Sequence, residues 1–336
     1  MQIFTDYKRL QNNAKNIRRQ LFKDTKLCAV VKANGYGHNI VEVAKNLQNH
    51  VDYFAVARVD EGVVLRQNNI SKPILVLCPY YTQKQVKICA QNDISLTVDN
   101  LCDLQIMSKY KAKIHLKIDS GMHRVGIENT DDFLQMIQYC VQKKIDVQGV
   151  YSHFASDLKS NAKLTINQYK KFCEFADIAK QYYPDCIVHT CNSINTKTSP
   201  VCHFDMVRTG IDLYDGCKKV VANVVATKQV KAGDGMGYNH CFVSDCEQNV
   251  AIVDCGYGDG LPRRYNGWVD TKYGKMQVVG NACMDMIMIK NSQNLLKKGD
   301  KVVILGEYFK NIVKADEIAK NCDTISYEIL CNLRER

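Results

Sequence analysis

Eight short apolar runs mark the first two thirds of the chain. Each is continuous rather than alternating, which is typical of parallel strands that are buried on both faces. They cover residues 27–31, 53–57, 73–78, 94–98, 113–118, 147–152, 187–190 and 205–208. Amphipathic segments such as 132–144 and 164–181 lie between most of them and are long enough for crossover helices. The pattern predicts an α/β fold, a (β/α)₈ TIM-type barrel, because the alternative doubly wound sheet normally stops near about six strands.

The pattern changes after about residue 217. Residues 220–230, 250–255, 276–288 and 301–305 form β-rich runs that Gly, Asp and Asn turns separate. A single helical pattern follows at Ala315–Asn321. We therefore expect a barrel over residues 1–218 and a mainly β C-terminal domain over residues 219–336.

Composition and charge exclude several classes of protein. The 336 residues are 46% hydrophobic and 24% charged, which excludes a disordered or fibrous chain. The net charge of +10 comes from 45 basic residues interleaved with 35 acidic ones, so no basic block predicts a nucleic-acid partner. No apolar run approaches the ~20 residues needed to cross a bilayer, and the start lacks the apolar stretch of a secretory signal. We expect a cytoplasmic protein without a membrane partner.

The sixteen cysteines form neither a CxxC pair nor a zinc-type quartet. In a chain without a secretion signal, such cysteines are expected to be reduced thiols, many of them buried. The histidines show no metal-type spacing either, so no metal site is predicted.

A lysine stands at the end of the first predicted strand. Burying a lysine is costly unless its amine loses its charge or is used, and a lowered pKa is what Schiff-base chemistry requires of a lysine. Lys32 therefore has two readings from the sequence, a nucleophilic amine or a strand-end side chain that reaches into water.

Other predicted strand ends carry complementary chemistry, at the face where barrel enzymes place their active sites. Arg124 follows the fifth strand, and His153 follows the sixth. The loops after strands seven and eight of such barrels frequently bind phosphate, and they hold Ser193, Gly210 and Ile211 here. A lysine, two arginines when Arg208 is included, a histidine and a Ser/Gly pair suggest one anionic ligand.

Eight motifs in order carry a specific resemblance along nearly the whole chain. They read AVVKANGYGHN, LKIDSGMHRVGI, GVYSHFAS, HTCNSIN, MVRTGIDLYDG, GYGDGLPR, VVGNACMDM and ISYEI. This set resembles the alanine racemases, barrel-type enzymes that use pyridoxal 5'-phosphate. The resemblance implies an isomerase that interconverts L- and D-alanine, supplies D-alanine for peptidoglycan, and works as a homodimer with shared active sites.

The same resemblance assigns roles to residues of this chain. Lys32 would hold the cofactor covalently and act as one catalytic base, and Tyr257 of the partner subunit would be the other. His153 would lie against the pyridine ring, and Arg208 would face its nitrogen. The cofactor phosphate would be bound by Tyr36, Ser193, Gly210, Ile211 and Tyr327.

Arg124 would orient the cofactor oxygen and the substrate carboxylate, and the backbone at Met284 would contact that carboxylate across the dimer. Lys117 stands where some members of the family carry a carbamylated lysine, and a plain structural lysine is the open alternative. Asn281 replaces an arginine that the family usually has near the substrate entry. The short N-terminus leads us to expect that the first strand, which the family lends to the β domain, is reduced or missing.

Rival functions remain at this point. A related racemase that acts on serine or another small amino acid is one alternative. A barrel-type decarboxylase of amino acids would share the cofactor lysine and the two domains, but it would be expected to place an acidic residue where Arg208 stands. A single-domain carrier of pyridoxal phosphate would lack the β domain that bears Tyr257, and a cofactor-free Schiff-base aldolase would leave the phosphate motif unexplained.

Overall fold

The computed structural model describes residues 1–335 and divides into two compact units. One unit comprises Leu10–Gly35 and Asn39–Leu213. The other comprises Met1–Arg9, Tyr36–His38 and the chain from Tyr214 onward. Strands and helices are numbered below in chain order.

The first unit is built on a closed barrel of eight parallel strands, so the predicted fold is confirmed. Neighbours in the barrel follow chain order, and β9 pairs with β2 to close it. Its strands are β2 Lys26–Val30, β3 Tyr53–Val56, β4 Ile74–Val76, β5 Ile94–Val98, β6 Ile114–Lys117, β7 Val147–Tyr151, β8 Ile187–His189 and β9 Met206–Thr209.

Helices precede and connect these strands. They are α1 Tyr7–Arg18, α2 Lys32–Gly37, α3 Ile40–Leu47, α4 Val59–Gln67, α5 Gln83–Gln91, α6 Leu101–Tyr110, α7 Thr130–Lys143, α8 Ala162–Tyr182 and α9 Ser193–Thr198. Side-chain caps fix where several begin: Asn100, Asn129 and Asn161 each accept a hydrogen bond from the backbone N–H three residues on. Such caps satisfy N–H groups that a helix start otherwise leaves without partners.

Burial explains the continuous apolar runs. Every residue of β3, β4, β5, β6 and β9 is buried, because one face of each strand fills the barrel and the other packs under the helices. The polar residues of these strands include His115, Lys117 and Arg208, all at most 5% exposed. Buried polar groups need hydrogen-bond partners. The partners of these three side chains therefore indicate where the functional part of the barrel lies.

The second unit is mainly β. Its strands are β1 Gln2–Thr5, β10 Lys218–Val230, β11 Gly235–Met236, β12 Phe242–Val243, β13 Gln248–Val253, β14 Trp268–Thr271, β15 Gly274–Val279, β16 Ile287–Lys290, β17 Lys301–Glu307 and β18 Ile312–Val313. Eight of them form one antiparallel sheet in the order β1-β10-β13-β16-β15-β14-β17-β18, in which β10 also pairs with β17. Two helices end the chain, α10 Ala315–Asn321 and α11 Ser326–Asn332.

Three details of this unit differ from the sequence-based expectations. The first strand is not missing, since Gln2–Thr5 forms a four-residue strand that pairs with β10. The apolar run at residues 276–288 is not one strand but parts of β15 and β16, with a turn between them. The predicted helix over Ala315–Asn321 is confirmed as α10, but it is not single, because α11 follows it.

No helix within residues 1–335 combines the length and the apolar character that a membrane span needs. Several cysteine thiols are buried, as expected, and burial raises the pKa of Cys28, Cys89 and Cys140 to about 12.

Candidate active site

The barrel brings most of the predicted residues to one end. Lys117 is the last residue of β6, and Lys32, His153 and Ser193 follow the ends of β2, β7 and β8. Arg208 lies in the second half of β9. Because the strands are parallel, their carboxyl ends meet at the same mouth of the barrel.

Arg208 is the centre of a buried polar network. Its Nη1 donates to Nδ1 of His189 at 2.7 Å, and its Nη2 donates to the carbonyls of Ser152 and Thr190 at 2.9 and 3.1 Å. Its guanidinium carbon lies 5.0 Å from the centre of the Tyr151 ring. Within residues 1–335 no carboxylate forms an ion pair with Arg208, so this buried cation is held by neutral acceptors and an aromatic face.

Two histidines extend this network in one defined protonation pattern. Arg208 can only donate, so Nδ1 of His189 accepts and its Nε2 carries the proton. That Nε2 lies 3.0 Å from Nδ1 of His115, and Nε2 of His115 lies 3.3 Å from the Tyr53 hydroxyl. Burial and the charge of Arg208 lower the pKa of His189 well below its usual range and that of His115 to about 3. Both rings are therefore neutral near pH 7.

Lys117 is a buried lysine with an unusual amine. Its Nζ donates to the carbonyl of Ile118 at 2.8 Å and lies 5.0 Å from the centre of the Tyr151 ring. Burial and the charge of Arg208 lower the pKa of this amine to about 7. A large fraction of Lys117 is therefore neutral at physiological pH, as a nucleophilic or carbamylated lysine requires.

The pKa of His153 reflects the positive charge at this end of the barrel. Burial lowers the pKa of its imidazole well below the usual range, and the charges of Arg208, Arg124, Lys117 and Lys32 lower it further. A histidine that stays neutral can stack on an aromatic ligand without adding another cation. Arg208, Arg124 and Lys32, with the protonated fraction of Lys117, leave a field that favours an anionic ligand.

A carboxylate shapes the loop that carries Arg124. Oδ1 of Asp119 accepts hydrogen bonds from the backbone N–H groups of Gly121, Met122 and His123, and Oδ2 accepts from that of Arg124, at 2.8–3.1 Å. Burial opposes the ionised form, but these four bonds prevail and lower the pKa of Asp119. The loop position of Arg124 is thus fixed by a side chain that the sequence analysis did not single out.

The predicted phosphate-binding residues of the barrel unit also meet. The hydroxyl oxygen of Ser193, which is buried at the start of α9, accepts a hydrogen bond from the backbone N–H of Gly210 at 2.9 Å. Ile211 comes next in the chain and begins a short 3₁₀ turn, Ile211–Tyr214. A serine hydroxyl and backbone N–H groups in one loop pair are donors that suit phosphate oxygens.

The residues of α2 that follow Lys32 form a left-handed turn. The residues of Ala33–Gly37 all have positive φ angles, between 52° and 74°. This region costs roughly 1–2 kcal/mol per residue except at glycine, so other contacts must stabilise it. Glu61 is one of them: Oε1 accepts from the N–H of Ala33 at 2.6 Å, and Oε2 accepts from the N–H of Ala57 at 2.8 Å.

Three tyrosines lie together in the second unit. The ring of Tyr36 stacks on that of Tyr214 with centroids 4.7 Å apart, and it lies 5.9 Å from the ring of Tyr327. Tyr36 is buried, while Tyr327 is 40% exposed. Burial, with the nearby phenol of Tyr327, raises the pKa of Tyr36 far above its usual range, so Tyr36 is a neutral hydroxyl donor.

Tyr257 and Met284 are also neighbours in the second unit. The N–H of Tyr257 donates to the carbonyl of Cys283 at 3.0 Å, and that of Gly258 donates to the carbonyl of Met284 at 2.9 Å. The approach requires glycine at position 256, where a Cβ would lie 2.3 Å from the Met284 oxygen. Both side chains are exposed, Tyr257 by 38% and Met284 by 52%, which leaves them open to a ligand or a partner.

Sequence reasoning missed the residues that organise the site rather than form it. They are Glu61, His115, Asp119, Tyr151 and His189. For all of them except Glu61, which lies in α4, the signal is a polar residue inside or directly after an apolar strand run. That signal does not tell which partner each one binds.

Comparison with known proteins agrees with this geometry. The model of the alanine racemase N-terminal domain matches residues 5–217, and that of the C-terminal domain matches residues 217–336. The chain belongs to the alanine racemase family. It is accordingly an enzyme of the isomerase class.

Relatives and solved structures cover nearly the whole chain. An alanine racemase of Listeria monocytogenes is 33% identical and covers 97% of this chain and 94% of the relative. An alanine racemase of Clostridium difficile has a TM-score of 0.91 and 34% identity, covering 99% of this chain and 93% of that one. The alanine racemase of Bacillus anthracis, solved with bound L-Ala-P, has a TM-score of 0.90 and 30% identity, covering 98% and 92%.

Proposed function

We propose that this enzyme racemises alanine with pyridoxal 5'-phosphate, using Lys32 and the Tyr257 of the partner subunit as its two bases. Membership of the alanine racemase family supports the reaction. The observation that carries the cofactor assignment is the positive charge around His153. Arg208, Arg124 and Lys32, with the protonated fraction of Lys117, add to burial in lowering the pKa of this histidine.

The residues present fit this cofactor. Its phosphate would be held by Ser193, Gly210 and Ile211 of the barrel and by the hydroxyls of Tyr36 and Tyr327. The Ser193–Gly210 hydrogen bond and the neutral, buried Tyr36 support those assignments. Its ring would lie against His153, which stays neutral, and Lys32 would hold it through Nζ. When bound, the cofactor supplies the electron sink that makes the Cα proton of an amino acid removable.

Two bases on opposite faces of Cα are what racemisation needs. Once the amino group of alanine had replaced Lys32 on the cofactor, the released Nζ of Lys32 would take the proton on one face. Oη of the partner's Tyr257 would return a proton on the other. Arg208 faces the ring nitrogen in this proposal, and an arginine cannot accept a proton from it. An acidic residue at that point would favour decarboxylation, so Arg208 supports the racemase over the decarboxylase.

Arg124 and the backbone at Met284 would bind the substrate carboxylate. The four bonds of Asp119 support this role of Arg124, because they fix the loop from which it reaches the ligand. Lys117 would be carbamylated, since its lowered pKa supplies the neutral amine that reacts with carbon dioxide. The carbamate would pair with the guanidinium of Arg124.

The substrate test is a racemisation screen. Purified enzyme with added pyridoxal 5'-phosphate is incubated with each L-amino acid, and products are separated by chiral chromatography. We expect L-alanine to be turned over fastest and the product to serve peptidoglycan synthesis in the cytoplasm. A faster rate with L-serine would establish the alternative function, a serine racemase.

Covalent attachment is tested separately from turnover. After borohydride reduction, peptide mass spectrometry should find the cofactor on Lys32, and Lys32→Ala should carry none. Tyr257→Phe should keep the cofactor and lose racemisation. Cofactor found on another lysine would reject the assignment of Lys32.

A mixing experiment tests the shared site of the proposed homodimer. K32A and Y257F subunits are inactive alone, but a mixed dimer has one site with both defects and one site with neither. Mixed and re-equilibrated subunits should therefore regain activity. If Tyr257 served its own subunit, every site would keep one defect and the mixture would stay inactive.

A further inference from the structure

A second buried lysine, outside the proposed chemistry, lies in the β unit. Lys218 begins β10 and is 2% exposed. Its Nζ donates to the carbonyl of Leu330 at 2.6 Å and to that of Leu333 at 2.9 Å. In the part of the chain that the structure describes, Lys218 has no ion pair with a carboxylate. Two backbone carbonyls at the end of α11 are thus the polar partners of this buried amine.

The end of α11 needs such a donor. A continuing helix would bond the Leu330 carbonyl to the N–H of Arg334, but that N–H donates to the carbonyl of Asp259 instead. The last carbonyls of a helix also carry its negative dipole end, where a cation is favourable. Burial lowers the pKa of Lys218 to about 8, so the amine is still mainly protonated at pH 7.

This contact touches the segment that carries Tyr36. Gly37 packs so closely against it that a Cβ there would lie 2.5 Å from the Leu330 oxygen and 2.8 Å from Nζ of Lys218. Tyr327 lies in the first turn of the same α11, with its ring 5.9 Å from that of Tyr36. Lys218 therefore lies where the end of α11 packs against the residue next to Tyr36.

We propose that Lys218 is a positioning residue, which holds α11 against the Tyr36–His38 segment and so sets the spacing of the Tyr36 and Tyr327 hydroxyls for the cofactor phosphate. This inference rests on the proposed function of those two tyrosines. The hydrogen bonds of Lys218 go to Leu330 and Leu333 and not to Tyr36 or Tyr327, so its effect on the ligand is indirect.

The test compares two ligands that differ only in the phosphate. Affinity of the apoprotein for pyridoxal 5'-phosphate and for pyridoxal is measured by absorbance titration, which does not depend on turnover. Lys218→Met should weaken binding of the phosphorylated ligand roughly tenfold and change that of pyridoxal less than about twofold. Lys219→Met is the matched control, since Lys219 is the next residue of the strand and lies over the ring of Tyr308 instead. It should leave both affinities unchanged.

Two further variants keep the outcome decisive. Lys218→Gln retains an N–H donor and should lose less affinity than Lys218→Met, and it answers the question if Lys218→Met does not fold. In a Tyr327→Phe background, substitution of Lys218 should cost no further affinity for the phosphorylated ligand. Equal losses for both ligands, or fully additive losses with Tyr327→Phe, would overturn the positioning role. If Tyr327→Phe alone has no effect, the proposed phosphate contact of Tyr327 fails first and the role of Lys218 fails with it.

Discussion

Acid should destabilise the barrel through its buried histidines, and His115 allows the effect to be calculated. Its folded pKa is about 3, whereas an unfolded histidine titrates near about 6.5. Between pH 6.5 and 3, His115 binds a proton in the unfolded chain but not in the folded protein. The free energy of unfolding therefore falls as pH falls from 6.5 towards 3. At pH 5 the interval is about 1.5 units, and at about 1.36 kcal/mol per unit His115 alone costs about 2 kcal/mol.

The measurement is urea unfolding of the apoprotein at pH 7 and pH 5, followed by far-UV circular dichroism. The stability difference between the two pH values should be about 2 kcal/mol smaller in His115→Gln than in the wild type. Tyr53→Phe is the matched control, because it removes the hydrogen bond to His115 but keeps the titrating ring. It should cost about 1 kcal/mol at both pH values and leave their difference unchanged. An equal acid loss in His115→Gln and the wild type would refute the reasoning.

Three further substitutions test the organisation of the site. Asp119→Asn places an amide N–H against backbone donors, so we expect a loss of about 1.5–3 kcal/mol in unfolding free energy and a raised KM for alanine, measured by urea titration and steady-state kinetics. Glu61→Gln leaves only one acceptor oxygen for the N–H groups of Ala33 and Ala57. Because this weakens the turn that follows Lys32, covalent capture of the cofactor should slow, and borohydride trapping over time measures that rate. With isotopically labelled bicarbonate, a carbamate NMR signal should grow as pH rises above about 7 and be absent in Lys117→Gln; a spectrum without that signal in the wild type would leave Lys117 a plain lysine.

The barrel could be predicted from the sequence because strands that are buried on both faces appear as continuous apolar runs. Strand β5 matches its predicted bounds, and the other barrel strands differ from theirs by one or two residues at an end. The β unit leaves a weaker trace. Strand β1 is half exposed and only four residues long, and in β14 the buried Asp270 and Thr271 interrupt the apolar pattern. Such strands are held by pairing with distant partners, which a local pattern does not show.

For the candidate site, the sequence signal was clear only for charged residues inside or directly after an apolar strand run. Lys32, directly after a buried strand, and Arg208, inside one, stand out because a charge at such a position demands an explanation. His189 and Asp119 stand at similar places, but their importance comes from partners distant in sequence or from a loop conformation. A hydrogen bond from Arg208 to one nitrogen of His189 decides the protonation of two rings, and only the three-dimensional arrangement contains that information.

The protonation pattern also explains how one end of the barrel tolerates so much positive charge. If His189 or His115 were protonated, the lone pairs that accept from Arg208 and His189 would be lost, and a second buried cation would face the guanidinium. Because the pKa values of both histidines are lowered, the two rings stay neutral except in acid. The pKa of Lys117 is about 7, so its amine loses its proton near neutral pH. Near neutral pH the two histidines are therefore uncharged and part of Lys117 is deprotonated. Arg208 keeps its charge, because a guanidinium stays protonated. An anionic ligand is the remaining way to balance the cations, and in the proposed function a phosphate, a substrate carboxylate and a carbamate on Lys117 would do so together.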